Sequence, residues 1–419
     1  VTEGAAAAPE AVEAAIEALV ARKLLLHRRR VDDVSVWHGA DIDLGQMVAE
    51  EAARLAMDSD PVAALERMFP PDAYTAPPYN HARGITRFAR ARFVRAGDLI
   101  SAAGLEALRA QADVEDALVA LVIDATADRP DLEELARALP PHLILALPRR
   151  SAEVGPILAD LLALETLLDR RELLATDPLV ERELQELKSE AEAALRQGLE
   201  RLMNPDRGEV VWLSGSTLHN FPQGGTPGEI LSRLFEDRFP HTPRIANEQV
   251  VRRKVSAVTR SARKRCMLAI IERTGIRALG YEGATSADAS LYRTVLERTG
   301  LYDCINGTWR WRMPLELDDL SMGHVWSEIE GFFVQPSDHP KSVEDLIDRL
   351  TAPPVGLREG VLPLLLTAGM VAFGRALALR EFVDGRARYV DDIQPSLIEK
   401  MCEEPQRFEL EVAALTRGQ

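Results

Sequence analysis

The apolar positions of this chain recur at two periods, and the switches between them mark out its elements. Over 9–26, Val12, Ile16, Leu19 and Val20 stand at helical spacing. A short alternating stretch at 34–44 predicts a strand and turn, and 44–57 predicts a helix. The proline-rich 60–78 predicts irregular structure. Over 85–94, arginines at 87, 90 and 92 alternate with apolar residues, the pattern of a half-exposed strand. Two unbroken apolar runs follow at 117–124 and 142–148, with helical segments at 131–139 and 157–174. Strand, helix, strand, helix predicts a parallel βαβ unit. A long charged helix is expected over 177–202 and a strand over 209–213. The loop at 217–228 is expected to be the main domain boundary.

Further along, helices are expected at 229–235 and 292–299. Asn306-Gly307 between apolar flanks predicts a hairpin over 302–312. The last segment repeats that order, with helices at 343–350 and 357–373 and a hairpin around Asp384-Gly385. A helix at 393–402 and a strand at 407–412 close it. Helices ending in a hairpin, twice over, predict two winged-helix-like modules. The expected fold class is therefore mixed α/β and helix-rich, a small βαβ-containing domain followed by those two modules. The expected segments are 1–80 (helical and irregular), 81–222 (α/β with the long charged helix), 223–335 (a basic module) and 336–419 (a C-terminal module).

Charge changes this picture at one place. The 419 residues carry a formal net charge of -16, which argues against non-specific coating of nucleic acid or anionic membrane. Yet 239–271 is basic. A turn punctuated by Pro240 and Pro243 leads into an uninterrupted helical pattern, with Val251, Val255, Val258, Ala262, Cys266 and Ala269 as its buried stripe. Its other faces carry Arg252, Arg253, Lys254, Arg260, Arg263, Lys264 and Arg265, and no acidic residue falls between Glu248 and Glu272. Three readings stand open. The run is a solvated face paired with carboxylates elsewhere, a helix that grips phosphates, or a face for an acidic partner. Trp309 and Trp311, interleaved with Arg310 and Arg312, are either a nucleic-acid wing or a pair closing a small core. With Arg244, the arginines and lysines at 252, 253, 254, 260, 263, 264, 310 and 312 are the candidate duplex-DNA contacts.

Candidate chemistry is sparse. The sequence holds no GxxxxGK[ST], HExxH or GxSxG motif and no metal-spaced Cys/His cluster. Cys266, Cys304 and Cys402 lie far apart, which fits a reducing cytoplasm. No apolar run approaches a bilayer span, and the acidic, alanine-rich start is not a secretory signal. Asp41 and Asp43 read as a turn and a helix N-cap rather than metal ligands. Asp124, at the carboxyl end of a predicted strand, lacks a glycine-rich phosphate loop beside it and reads as structural. These three carboxylates are the ones a hidden nuclease centre would have to bring together. No complete active site and no cofactor are expected in this chain.

Several segments, in order, carry a resemblance: VWHGADIDL (36–44), ITRFARARFV (85–94), TDPLVERELQEL (176–187), PRIANEQVVRRK (243–254), ASLYRTVLERTGLY (289–302), PPVGLREGVLPLLL (353–366) and EEPQRFEL (403–410). Together they resemble the region C-terminal to the P-loop domain in large prokaryotic defence ATPases of the PglY and BrxC kind, from BREX anti-phage systems. The resemblance implies an AAA+-type ATPase working with other defence subunits on foreign DNA. The phosphate-binding loop is not in this sequence, so ATP is expected only through a missing or separate P-loop domain. The resemblance marks Arg244, Asn247, Glu248, Arg252 and Arg253 without supplying their role.

Overall fold

The computed structural model describes residues 9–22, 25–28, 33–36, 43–58, 60–126, 130–150, 154–175, 178–221, 225–314, 322–337, 339–374, 377–383, 386–390 and 392–412. The protein is mixed α/β and rich in helix. It divides into two compact units, 1–74 with 89–226 and 75–88 with 227–419. The junction at 226/227 falls within the loop marked in the sequence.

The first unit is built on a six-stranded sheet. From one side it runs Tyr74–Thr75, Phe88–Val94, Ala117–Val122, Leu143–Pro148, Val210–Ser214 and Thr217–Asn220. Phe88–Val94, Ala117–Val122 and Leu143–Pro148 pair in parallel, and the last two strands add antiparallel. Every residue of Ala117–Val122 and Leu143–Pro148 is buried, which is why both read as unbroken apolar runs. On one face Leu99, Leu108 and Leu132, from the crossover helices, pack against Leu118, Leu145 and Leu213. The long charged helix is Pro178–Met203, and it lies along Val154–Leu168 with Leu184, Ala191 and Leu195 buried.

Two expectations fail in this unit. The region read as irregular contains the helix Pro61–Met68, because Asp60 caps it through the Val62 N–H (3.0 Å) and Pro61 occupies its first turn. The loop at 217–228 contains the strand Thr217–Asn220, folded back on Val210–Ser214 by a turn with Gly215 at φ 55°.

The second unit gathers a short early piece of chain to its later half. Helix Pro77–Arg83 packs on helix Pro227–Arg238, and the Tyr79 hydroxyl donates to the Phe239 carbonyl (3.2 Å). Buried Arg87 lies over the Phe239 ring, 3.6 Å from its centroid, and donates to Thr242 Oγ1 (3.1 Å) and the Gly356 carbonyl (2.5 Å). Helix Ala257–Arg273 packs on the apolar helix Leu362–Phe373, which begins later than expected. Ala287–Leu291 runs on as a π-helical turn, Tyr292–Glu297. The hairpin Tyr302–Ile305 with Thr308–Trp311 turns at Asn306 and Gly307, whose φ of 54° and 81° is what a two-residue type I′ turn requires. Helix Met322–Val334 was not foreseen. A four-stranded antiparallel sheet completes the unit, in the order Lys341–Ser342, Phe408–Val412, Leu377–Val383, Arg386–Val390. Asp384 and Gly385, read as its hairpin turn, lie outside the described residues. Among the described residues no helix is long and apolar enough to cross a membrane.

Candidate nucleic-acid interface

The basic run does not form one helix. Its helix begins at Ala257, with Ser256 as N-cap accepting from the Thr259 N–H (3.2 Å). The preceding residues fold into turns instead. Asn247 accounts for this, because its side-chain oxygen accepts from the Gln249 N–H and its carbonyl from Val250 and Val251. The Asn247 amide also donates to Thr294 Oγ1 (3.0 Å). The Arg252 carbonyl accepts from the Gly360 N–H (2.9 Å), and any Cβ at Gly360 would stand 2.2 Å from the Val250 carbonyl oxygen. The turn is thus fixed by backbone on both sides. One member of the predicted buried stripe is wrong: Val258, in the first turn of the true helix, is 76% exposed.

The cations divide into two groups. Arg263 is 5% exposed, donates to the Gly360 carbonyl (2.8 Å) and pairs with Glu399 (2.9 Å). Lys264 takes the other oxygen of Glu399 (2.9 Å), and Arg265 pairs with Asp288 (3.2 Å). Burial acts to raise the Asp288 carboxyl, but its backbone hydrogen bond, the Tyr281 hydroxyl and Arg265 outweigh it and hold it below the usual range. Arg263 therefore has no surface for a phosphate. Arg244, Arg252, Arg253, Lys254 and Arg260 are exposed. Arg252 Nε donates to the Glu248 carbonyl (2.7 Å), and among the described residues no carboxylate pairs with Arg252, Lys254 or Arg260.

On the hairpin, Arg310 is exposed, while Arg312 donates to the Gly300 carbonyl (3.2 Å) and lies 3.4 Å from Asp303. Trp309 and Trp311 sit over Tyr302, and Trp311 stacks on Trp326 and donates to Thr274 Oγ1 (3.2 Å). Both tryptophans serve a small aromatic core.

The carboxylates are occupied structurally. Asp43 caps helix Leu44–Asp58 through the Gln46 N–H (2.9 Å). Asp124 accepts from the Ala96 N–H (2.6 Å) at the start of helix Ala96–Ile100, with Arg95 at 3.8 Å. Asp41 lies outside the described residues. Among the described residues no three His, Cys, Asp or Glu side chains are grouped to hold a metal ion. Burial pushes the Cys266 thiol far above its ordinary value and Cys402 up to about 12, so neither is a ready nucleophile.

No protein-family description matches the chain, and neither does any curated protein or solved structure.

Proposed function

We propose that this chain is a non-catalytic DNA-engaging and assembly region of a BREX-like anti-phage defence ATPase, with ATP bound by a P-loop domain elsewhere. The observation that carries the reading is the turn holding Arg252, Arg253 and Lys254, followed by Arg260 on the first turns of a capped helix. In a chain of net charge -16 these cations are exposed, while Arg263, Lys264 and Arg265 pair with Glu399 and Asp288. Guanidinium and ammonium groups grouped this way suit phosphate oxygens, and the N-terminal end of a helix adds favourable field. In this reading the module at 223–335 works in the winged-helix-like manner, contacting phosphates through the turn, Arg244 and Arg310. The C-terminal module is given the partner-holding role in this reading, since its apolar helix Leu362–Phe373 is buried along Leu362–Met370 and has no face to lay in a DNA groove.

One observation favours a second reading, a scaffold whose basic helix docks an acidic protein. Arg263 and Lys264 already grip a carboxylate, Glu399, within the unit.

Fluorescence anisotropy with duplex DNA over a salt series separates the two. Arg252→Glu/Arg253→Glu/Lys254→Glu is expected to abolish steeply salt-dependent binding. Absence of binding by the unaltered chain even at low salt removes the DNA reading.

A further inference from the structure

Strand Arg386–Val390 forms one edge of the four-stranded sheet, with Leu377–Val383 beside it and no strand beyond it among the described residues. Alternate residues of such an edge turn their N–H and C=O groups away from the sheet. Arg386, Ala387, Arg388 and Tyr389 are all exposed, Tyr389 by 57%. Residues 386–389 are therefore exposed on both faces, and among the described residues no strand pairs with the outer edge.

Its charge is unbalanced. The register sets Arg388 opposite Glu381 and Val390 opposite Leu379, so Arg386 and Arg388 share the face of Leu379 and Glu381. Glu381, however, is already engaged by Lys400 (2.5 Å) and Arg407 (3.3 Å), and Arg407 also pairs with Glu404. Four cations thus stand with two carboxylates, and Arg386 and Arg388 pair with neither. The same chain shows what an equivalent strand does when it is satisfied. Residues 90–94 read Arg-Ala-Arg-Phe-Val, against Arg-Ala-Arg-Tyr-Val at 386–390. There Arg90 pairs with Glu115 (3.0 Å), Arg92 donates to Gln111 (3.1 Å), and Ala91 and Phe93 are buried.

We infer that the edge Arg386–Val390 receives an extended acidic segment of a partner protein by strand addition. This deepens the assembly half of the reading above. Carboxylates two residues apart on the incoming strand meet Arg386 and Arg388, while an apolar side chain covers Tyr389. A second copy of this chain is disfavoured, because antiparallel pairing centred on 387 or 388 brings arginine against arginine. The charges that protect the edge from its own kind select a partner of opposite sign. A nucleic acid would satisfy the guanidinium groups but not the row of backbone groups.

The test titrates the full chain into a fluorescein-labelled Glu-Val-Glu-Val-Glu-Val peptide, with a Lys-Val peptide and a short DNA duplex as parallel probes. Saturable binding of the Glu-Val probe alone among the peptides is expected, with slowed amide exchange over 386–390. Arg386→Glu/Arg388→Glu is expected to weaken it by about tenfold or more. Tyr389→Ala, at an exposed side chain, is expected to weaken it severalfold without changing the thermal melt. Arg252→Glu/Arg253→Glu/Lys254→Glu is expected to leave peptide binding unchanged, so loss of the DNA reading and loss of this one are told apart. The inference is overturned by no saturable binding, by binding indifferent to the 386/388 reversal, or by binding without amide protection. Loss of duplex binding on that same reversal also overturns it, assigning the edge to nucleic acid.

Discussion

The strands at 90–94 and 386–390 differ by one hydroxyl group and have opposite surroundings. In the first unit, Phe93 is 2% exposed, its strand lies against Ala117–Val122, and Glu115 and Gln111 hold the two arginines. In the second, residues 386–389 face solvent and Glu381, the cross-strand neighbour of Arg388, is already held by other cations. Five residues of near-identical sequence are thus a core strand in one place and a bare edge in the other. What decides is the neighbour that the topology supplies, a parallel βαβ crossover in one case and a terminal hairpin in the other.

Denaturant unfolding is the direct way to break this comparison. Phe93→Ala is expected to cost about 4 kcal/mol, because it opens a cavity beneath the sheet. Tyr389→Ala should change stability by no more than about 0.5 kcal/mol. Equal costs would mean that the C-terminal strand is covered in solution.

A second variant tests whether an internal acid is what separates held cations from bare ones. Glu399→Ala strands buried Arg263 and removes the anchor of Lys264, with an expected loss of about 3 kcal/mol in the same unfolding experiment. Far smaller loss would mean that Arg263 reaches water readily, and would return it to the candidate phosphate contacts.

The smallest effect sharpens the contrast. A double-mutant cycle on Arg90 and Glu115 is expected to give a coupling of about 0.2–1 kcal/mol, as for partly exposed pairs. The corresponding cycle on Arg388 and Glu381 should give less, since Lys400 and Arg407 already occupy that carboxylate.

How far the sequence revealed all this follows from where each determinant lies. The strands Ala117–Val122 and Leu143–Pro148, the turn at Asn306-Gly307 and the cap at Asp43 were legible, because their causes are local: an unbroken apolar run, an αL-tolerant pair, an acceptor just before a helix. The basic run misled for the opposite reason. Its periodicity continues through 251–255, but Asn247 and the backbone of Gly360 hold that stretch as a turn. The partner that buries Arg263 lies 136 residues away, so nothing near it in sequence separates it from Arg260. The membership of 75–88 was hidden in the same way, since the strand that follows it continues over 89–94 in the other unit.

Arg87 gives the molecule an order of events. The Thr242 hydroxyl that it meets follows 155 residues later in the chain and the Gly356 carbonyl 269 residues later. Since chains are made at roughly 5–20 residues per second, the guanidinium waits for about ten seconds to a minute before its last acceptor emerges. The first unit can close around its sheet in that interval, with the 75–88 segment left hanging out as an unfinished stitch. A nascent chain stalled short of residue 227 therefore exposes helix Pro77–Arg83 to chaperones and proteases, and one stalled short of residue 356 leaves Arg87 without its last acceptor.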